Sequence, residues 1–321
     1  MKTLEGYTKS HDGTEIYYKS EGEGFPLIVC NGILCSTGYW VYLTPFFKDR
    51  CQVVTWDYRG HGKSGLPAKE KNHTMNDFAA DLLAVMNELK ISKAVFAGHS
   101  MGVQLILEFY KQHPEKVMGL IPILGTYGRP FTSFYGQAWV DKIMPVFLKQ
   151  AERFSGIISF VARPLINSPL SVPSARLSGA INWYLAPGDV MQKYFAQIAD
   201  MDLGFAFRAL RAMGNHTAED ILDKIKVPTL IIAGENDPFT PAEQSEKMHR
   251  KIKNSELLMI RKGTHTALIE QPDLMHLRIE LFLRHHFQDQ GYRPLVENID
   301  AHLFQKKSED GIISKALKLL F

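Results

Sequence analysis

One pentapeptide, Gly98-His99-Ser100-Met101-Gly102, limits what this chain can fold into more than any other feature. An apolar run at residues 95–97 leads into it, and the amphipathic pattern "MGVQLILEFYKQHP" starts directly after it and ends near Pro114. A strand that passes into a helix through so short a turn leaves no room for Cβ atoms beside its middle residue, so glycines flank that residue. The turn lifts the Ser100 hydroxyl above a sheet, and the helix N-terminus beneath it adds positive potential and a free N–H from Met101. A serine hydroxyl is a weak nucleophile; to act, it needs a base, normally a histidine oriented by a carboxylate.

The surrounding text supports a sheet with helices on both faces. "TEIYYKSEG" alternates as a half-exposed strand does, whereas "FPLIVCNG" and "CQVVTWD" are near-continuous apolar runs of the kind found in buried parallel strands. A short helix is expected over residues 39–47. Phe78, Leu82, Val85, Met86 and Leu89 recur at helical spacing over residues 76–90, and Thr74 with Asp77 resembles a capping box. The strand "KAVFAGHS", the helix after it and the strand "VMGLIPILG" continue the alternation, which implies a doubly wound, mostly parallel α/β sheet.

The rhythm stops after Gly125. Residues 126–217 read as helical, aromatic-rich and broken by prolines, too long for a structureless connection, and are expected to form an inserted helical cap over one sheet edge. Strand text resumes at "VPTLIIAGENDPFTP", followed by a helix from Pro241, the strand "SELLMIRKG" and a helix over residues 273–286. The expected organisation is therefore a core over residues 1–125, the cap over 126–217, the rest of the core over 218–287 and an extension over 288–321.

Composition excludes several functions. Lys and Arg (37) are interspersed with Asp and Glu (34), so the net charge of +3 forms no basic face for nucleic acid. No uncharged apolar stretch approaches the roughly 18 residues of a membrane-spanning helix. The N-terminus lacks the apolar region of a secretory signal, and an odd number of cysteines, 3, fits reduced thiols and a cytoplasmic setting. Cys30 and Cys35 are separated by four residues, a spacing that suits neither a redox pair nor a zinc knuckle. No metal cluster or phosphate loop stands out, and no cofactor is expected.

At the pentapeptide and its context the chain resembles the α/β-hydrolase family, from about residue 6 to residue 286. The resemblance implies the chain order serine, acid, histidine, with acid and base on loops after late strands. Asp237 in "GENDPFTP" and His265 in "GTHTALIEQP" occupy those positions. Glu235 is a weaker alternative acid, and the position after the strand preceding the insertion, Leu124-Gly125-Thr126-Tyr127, offers no carboxylate. His99, on the turn itself, is expected to be a packing or hydrogen-bonding neighbour. The tetrahedral oxyanion of acyl transfer needs two convergent N–H donors. Met101 is one, and the resemblance places the other at Ile33 in "VCNGILCS", where Asn31-Gly32 replaces the usual His-Gly and Gly32 lets the backbone turn. A second shared stretch, Asp57-Tyr58-Arg59-Gly60-His61-Gly62-Lys63-Ser64, reads as a structural turn.

These features imply a serine hydrolase acting on a hydrophobic ester, lactone or thioester as a small-molecule substrate. Acyl transfer or C–C bond hydrolysis by the same residues is the alternative, and a ligand receptor that retains the three side chains is the alternative of another class. The cap aromatics Phe131, Phe134, Tyr135, Trp139, Phe147, Phe154, Phe160, Trp183, Tyr184, Phe195, Phe205 and Phe207 are expected mostly to bury the cap against itself and the sheet. "RFSGIISFVARPLI" is expected to be a buried helix, with a dip toward lipid as the alternative. "GIISKALKLLF" places Ile312, Ile313, Ala316, Leu317 and Leu320 on one helical face; docking on the protein's own surface is expected, with weak peripheral membrane contact as the alternative. The sequence carries no signal of oligomeric state.

Overall fold

The computed structural model describes residues 2–69, 71–134, 137 and 139–295 of the chain. The "GIISKALKLLF" segment and Tyr135 lie outside the described residues. Eight strands form one sheet: β1 (Thr3–Lys9), β2 (Glu15–Glu21), β3 (Pro26–Cys30), β4 (Gln52–Trp56), β5 (Ala94–His99), β6 (Val117–Ile123), β7 (Thr229–Gly234) and β8 (Ser255–Ile260). Their order is β1-β2-β4-β3-β5-β6-β7-β8. β2 pairs antiparallel with β1 and β4, and every other pairing is parallel. The sequence carries no clear strand signal over β1; its residues are mostly exposed, and it is held by pairing along its whole length with β2.

Helices cover both faces. α1 (Leu43–Phe47), α2 (Met75–Glu88) and α3 (Met101–Gln112) belong to the first part of the chain. α4 (Val140–Arg153), α5 (Ser155–Ile166), α6 (Ser171–Leu177), α7 (Gly188–Asp200) and α8 (Leu203–Asn215) lie in sequence between β6 and β7. α9 (Ala242–Lys251), α10 (Ala267–Glu270) and α11 (Pro272–Phe287) follow β7. The expected helix over 39–47 is split into a 3-10 turn at Thr37–Trp40 and α1. α2 starts where its cap predicts: the Thr74 side chain accepts from the Asp77 N–H, and the Asp77 carboxylate accepts from the Thr74 N–H.

Because strand side chains alternate, the apolar runs feed two cores. Ile28, Val54, Phe96 and Leu120 pack with α2, α3 and α8 on one face. Leu27, Val53, Val95 and Ile121 pack with α1 and α11 on the other. α3 is buried from Met101 through Tyr110, which fixes the turn before it against the sheet.

Two expectations about the inserted helices fail. α5 contains no buried residue, and Trp139, Phe154, Phe160, Trp183 and Tyr184 are exposed. Apolar content was no guide here because α5 packs through Ser155, Ile158, Ser159, Ala162 and Ile166 at only partial burial, leaving a second apolar face outward. Phe205, in contrast, is fully buried, beside the His61 ring.

Candidate active site

Ser100 lies between β5 and α3 with φ 54° and ψ −115°, a strained combination for a residue carrying a side chain. A Cβ at Gly98 would lie 2.3 Å from the Gly102 carbonyl oxygen, so the elbow closes only around glycine. β5 is central in the sheet, and the loops after β3, β7 and β8 converge on its C-terminal end, the crevice where parallel sheets bind ligands.

Those loops bring the expected side chains together. Asp237 follows β7 and His265 follows β8. His265 Nδ1 donates to Asp237 Oδ2 at 2.9 Å, which leaves Nε2 as the acceptor of the Ser100 hydroxyl, also at 2.9 Å. Burial opposes ionisation of Asp237, but the neighbouring His265 and hydrogen bonds from Thr240 outweigh it and hold the carboxyl below its usual range. Phe239 N–H also donates to Asp237 Oδ1, at 2.9 Å. Glu235 faces elsewhere and accepts from the Lys262 N–H at 2.8 Å.

His99 is the neighbour its position suggests. It stacks on Tyr39, with ring centroids 4.7 Å apart, and its Nε2 donates to the His265 carbonyl oxygen at 3.0 Å. Burial, with His265 nearby, pushes its pKa down to about 3, so the ring is neutral and acts as a strut for the His265 main chain.

The loop after β3 carries Ile33. A Cβ at Gly32 would lie 2.9 Å from His99 Nδ1 and 3.2 Å from Ser100 Cβ, so Gly32 is needed for close approach. The turning is done elsewhere: Leu34 holds the left-handed conformation, with φ 62°. This revises the role expected of Gly32. The Cys35 N–H closes the turn onto the Gly32 carbonyl at 3.3 Å, leaving the Ile33 N–H outside it. The Met101 N–H, first in α3, has no intrahelical acceptor. Asn31, fully buried, is the loop's anchor. Its amide donates to the Trp56 carbonyl at 2.8 Å, its side-chain oxygen accepts from Trp40 Nε1 at 2.6 Å, and its own carbonyl accepts from the Tyr58 hydroxyl at 2.6 Å. Cys30 and Cys35 are buried with pKa values pushed up to about 12 by burial, the opposite of a reactive thiol.

Asp57 and Arg59 serve the scaffold through different partners. Asp57 accepts from the Thr37 and Lys63 N–H groups at 2.7 and 2.9 Å and so joins the loops after β3 and β4. The Arg59 guanidinium binds Asp81 and Asp12.

Above Ser100 and His265 opens a cavity of about 360 Å³. Its walls are apolar: Phe131, Phe134, Met144, Phe147, Phe207 and Met213 come from the inserted region and Phe239 from the loop of Asp237. Tyr39, Tyr194 and Phe239 were not read from sequence as site residues; only Phe239, two residues from Asp237, had a local signal. Phe239 meets the His265 ring edge-on at 5.0 Å. Tyr194 and Gln197 of α7 tie the insertion to the Ile33 loop, through Cys35 Sγ at 3.5 Å and the Ser36 hydroxyl at 2.7 Å. Among the described residues, no group of three or more His, Cys, Asp or Glu could hold a metal ion.

A strand-to-helix serine hydrogen-bonded to a histidine that in turn bonds an acid, both on late loops of a mostly parallel sheet, defines a class, and the comparison with known sequences agrees. The alpha/beta hydrolase fold family profile matches residues 26–272, and the chain belongs to that family. Its relatives are hydrolases and related enzymes. It is 27% identical over 282 residues to the putative 2-succinyl-6-hydroxy-2,4-cyclohexadiene-1-carboxylate synthase of Bacillus subtilis (strain 168), covering 85% of this chain and 96% of the relative. It is 27% identical over 257 residues to 3-oxoadipate enol-lactonase 1 of Acinetobacter baylyi, covering 78% of this chain and 86% of the relative. The fold is shared with an esterase from Exiguobacterium antarcticum, with a TM-score of 0.72, 20% identity and coverage of 88% of this chain and 100% of that one. Membership of this family supports hydrolase activity.

Proposed function

We propose that the chain is a serine hydrolase that cleaves a carboxylic ester, lactone or thioester with a hydrophobic acyl or alkyl portion. The observation that carries this reading is the unbroken hydrogen-bond chain Ser100–His265–Asp237 at the floor of an apolar cavity. His265 Nε2 takes the Ser100 proton as Oγ attacks the carbonyl carbon, and Asp237 stabilises the imidazolium. The Ile33 and Met101 N–H groups receive the oxyanion. The tetrahedral intermediate collapses, His265 returns the proton to the leaving alcohol or thiol, and the acyl group stays on Ser100. Water, deprotonated by His265, then attacks the acyl-enzyme and releases the acid. No residue in the sequence requires a cofactor for these steps. The enol-lactonase relative is named for an intramolecular ester, which is consistent with this chemistry.

A p-nitrophenyl ester series tests the reading. kcat/KM should rise from acetate toward octanoate by up to about fourfold per methylene, the worth of about 0.8 kcal/mol for each buried CH₂, until the cavity is filled. Acetate as the best substrate would refute the apolar assignment, and no turnover of any ester would refute the hydrolase.

Asn31→Ala is expected to separate loop support from the donor itself. It leaves the Trp40 N–H and the Trp56 carbonyl unpaired in the core, costing about 1–3 kcal/mol in a denaturant melt. The displaced Ile33 N–H should lower kcat by up to about 100-fold, the low end for loss of an oxyanion donor. Unchanged kcat in the folded variant would count against Ile33.

A further inference from the structure

α4 and α5 each carry an outward apolar stripe. On α5, Ile157, Phe160, Val161, Pro164 and Leu165 recur at i, i+3, i+4, i+7 and i+8, and Phe160 is 82% exposed. On α4, Ile143, Val146 and Phe147 continue the pattern, with Phe154 at the junction between the helices. An exposed apolar surface on this scale is the mark of an interaction site.

Charge indicates what covers it. From Arg153 to Gly188 the chain has no Asp or Glu, while Arg163 and Arg176 add positive charge. Both acids of α4 are paired with arginines of the protein itself: Asp141 with Arg129 at 2.8 Å, and Glu152 with Arg208 and Arg211 at 3.4 and 2.9 Å. Lys142, Lys149 and Arg153 stand exposed beside the stripe. The stretch "SKALKLLF" at the end of the chain is itself basic, so charge does not favour it as the cover for this surface.

We infer that the α4–α5 face docks on a lipid surface carrying anionic headgroups, with Ile157 and Phe160 entering the acyl boundary and the lysines and arginines meeting the headgroups. The association is peripheral: among the described residues no helix is long and apolar enough to cross a membrane. The opposite side of α4 places Met144 and Leu148 on the cavity, and Phe147 both lines that cavity and is 59% exposed. An amphiphile leaving the bilayer would therefore reach the cavity past Phe147. That last step rests on the proposed hydrolase; the docking does not.

Co-sedimentation of the full chain with phosphatidylcholine vesicles, with and without phosphatidylglycerol, tests the docking without any turnover. Binding is expected to the anionic vesicles and to weaken as salt is raised. I157D/F160D should lower the partition coefficient at least about tenfold with an unchanged melting temperature, since both side chains are exposed. K149E/R153E, which leaves the apolar stripe intact, should weaken binding to anionic vesicles alone. The inference is overturned if the wild type does not pellet, or if I157D/F160D binds as the wild type does while L317D/L320D does not. It is equally overturned if the protein dimerises without vesicles and I157D/F160D abolishes that dimer, which would make the stripe a contact between two copies.

Discussion

Ser100→Ala should lower kcat/KM for the best ester by on the order of 10⁴–10⁶-fold, with substrate affinity little changed. The expectation follows from geometry. The Ser100 hydroxyl is the atom that His265 Nε2 accepts from at 2.9 Å, and the apolar walls that would bind an acyl chain do not depend on it. His265→Ala should cost about as much, and the double variant no more, because the residues act as one unit. Asp237→Asn should cost about 10⁴-fold. The carboxylate accepts from Thr240, Phe239 and His265 together, and an amide in its place would present an N–H where one of those donors points. A fluorophosphonate probe supplies the second readout: it should label the wild type and leave Ser100→Ala unlabelled. Undiminished turnover by Ser100→Ala would remove the acyl-enzyme from the mechanism, and an unlabelled wild type would remove the activated serine altogether. Labelling with negligible turnover of every ester, together with ligand-dependent thermal stabilisation, would instead support a receptor that retains these side chains.

The parts of the site that were legible in the sequence are those with a local signature. Ser100 sits where an apolar run gives way to an amphipathic helical pattern, and Asp237 and His265 each follow an apolar strand within a few residues. What was illegible depends on contacts across the fold. Asn31 anchors its loop through Trp40, Trp56 and Tyr58, partners 9 to 27 residues away that no spacing rule links to it. Gly32 is needed because His99 and Ser100 crowd it, whereas the left-handed position fell to Leu34, a residue type with no turn preference. α5 misled in the opposite direction. Apolar residues all around a helix read as buried, and only packing against α7 and α8 decides that one face stays outside. The doubly wound, mostly parallel sheet could be argued from strand–helix alternation, but β1 could not, because an edge strand needs no apolar pattern to pair.

Arg59→Met should be among the most destabilising single substitutions in the core, costing about 3–5 kcal/mol in a denaturant melt. The Arg59 side chain is fully buried, with Nε 2.7 Å and Nη2 2.5 Å from the two oxygens of Asp81, which is equally buried on α2. Nη1 adds Asp12 at 3.1 Å and the Asn72 carbonyl at 3.0 Å. Removing the guanidinium strands the Asp81 carboxylate away from water, whereas Asp12, only partly buried, can rehydrate. Asp81→Leu should destabilise comparably, because it leaves the arginine without its bidentate partner. R59M/D81L removes both charges and should recover most of the loss, so the double-mutant cycle should return a coupling of several kcal/mol. Additive losses would mean that the arginine stabilises through its contacts with the Asn72 carbonyl and the Ser10 hydroxyl, at 3.0 and 3.2 Å, instead. The same cycle separates scaffold from chemistry. The turn that carries Arg59 also presents Asp57, whose bonds to the Thr37 and Lys63 N–H groups tie it to the loop of Ile33. Those bonds do not involve the guanidinium, so the refolded double variant should keep its kcat. If it is stable yet slow, Arg59 is setting the position of the oxyanion loop through Asp57, and this buried pair then belongs to the active site's support as well as to the core.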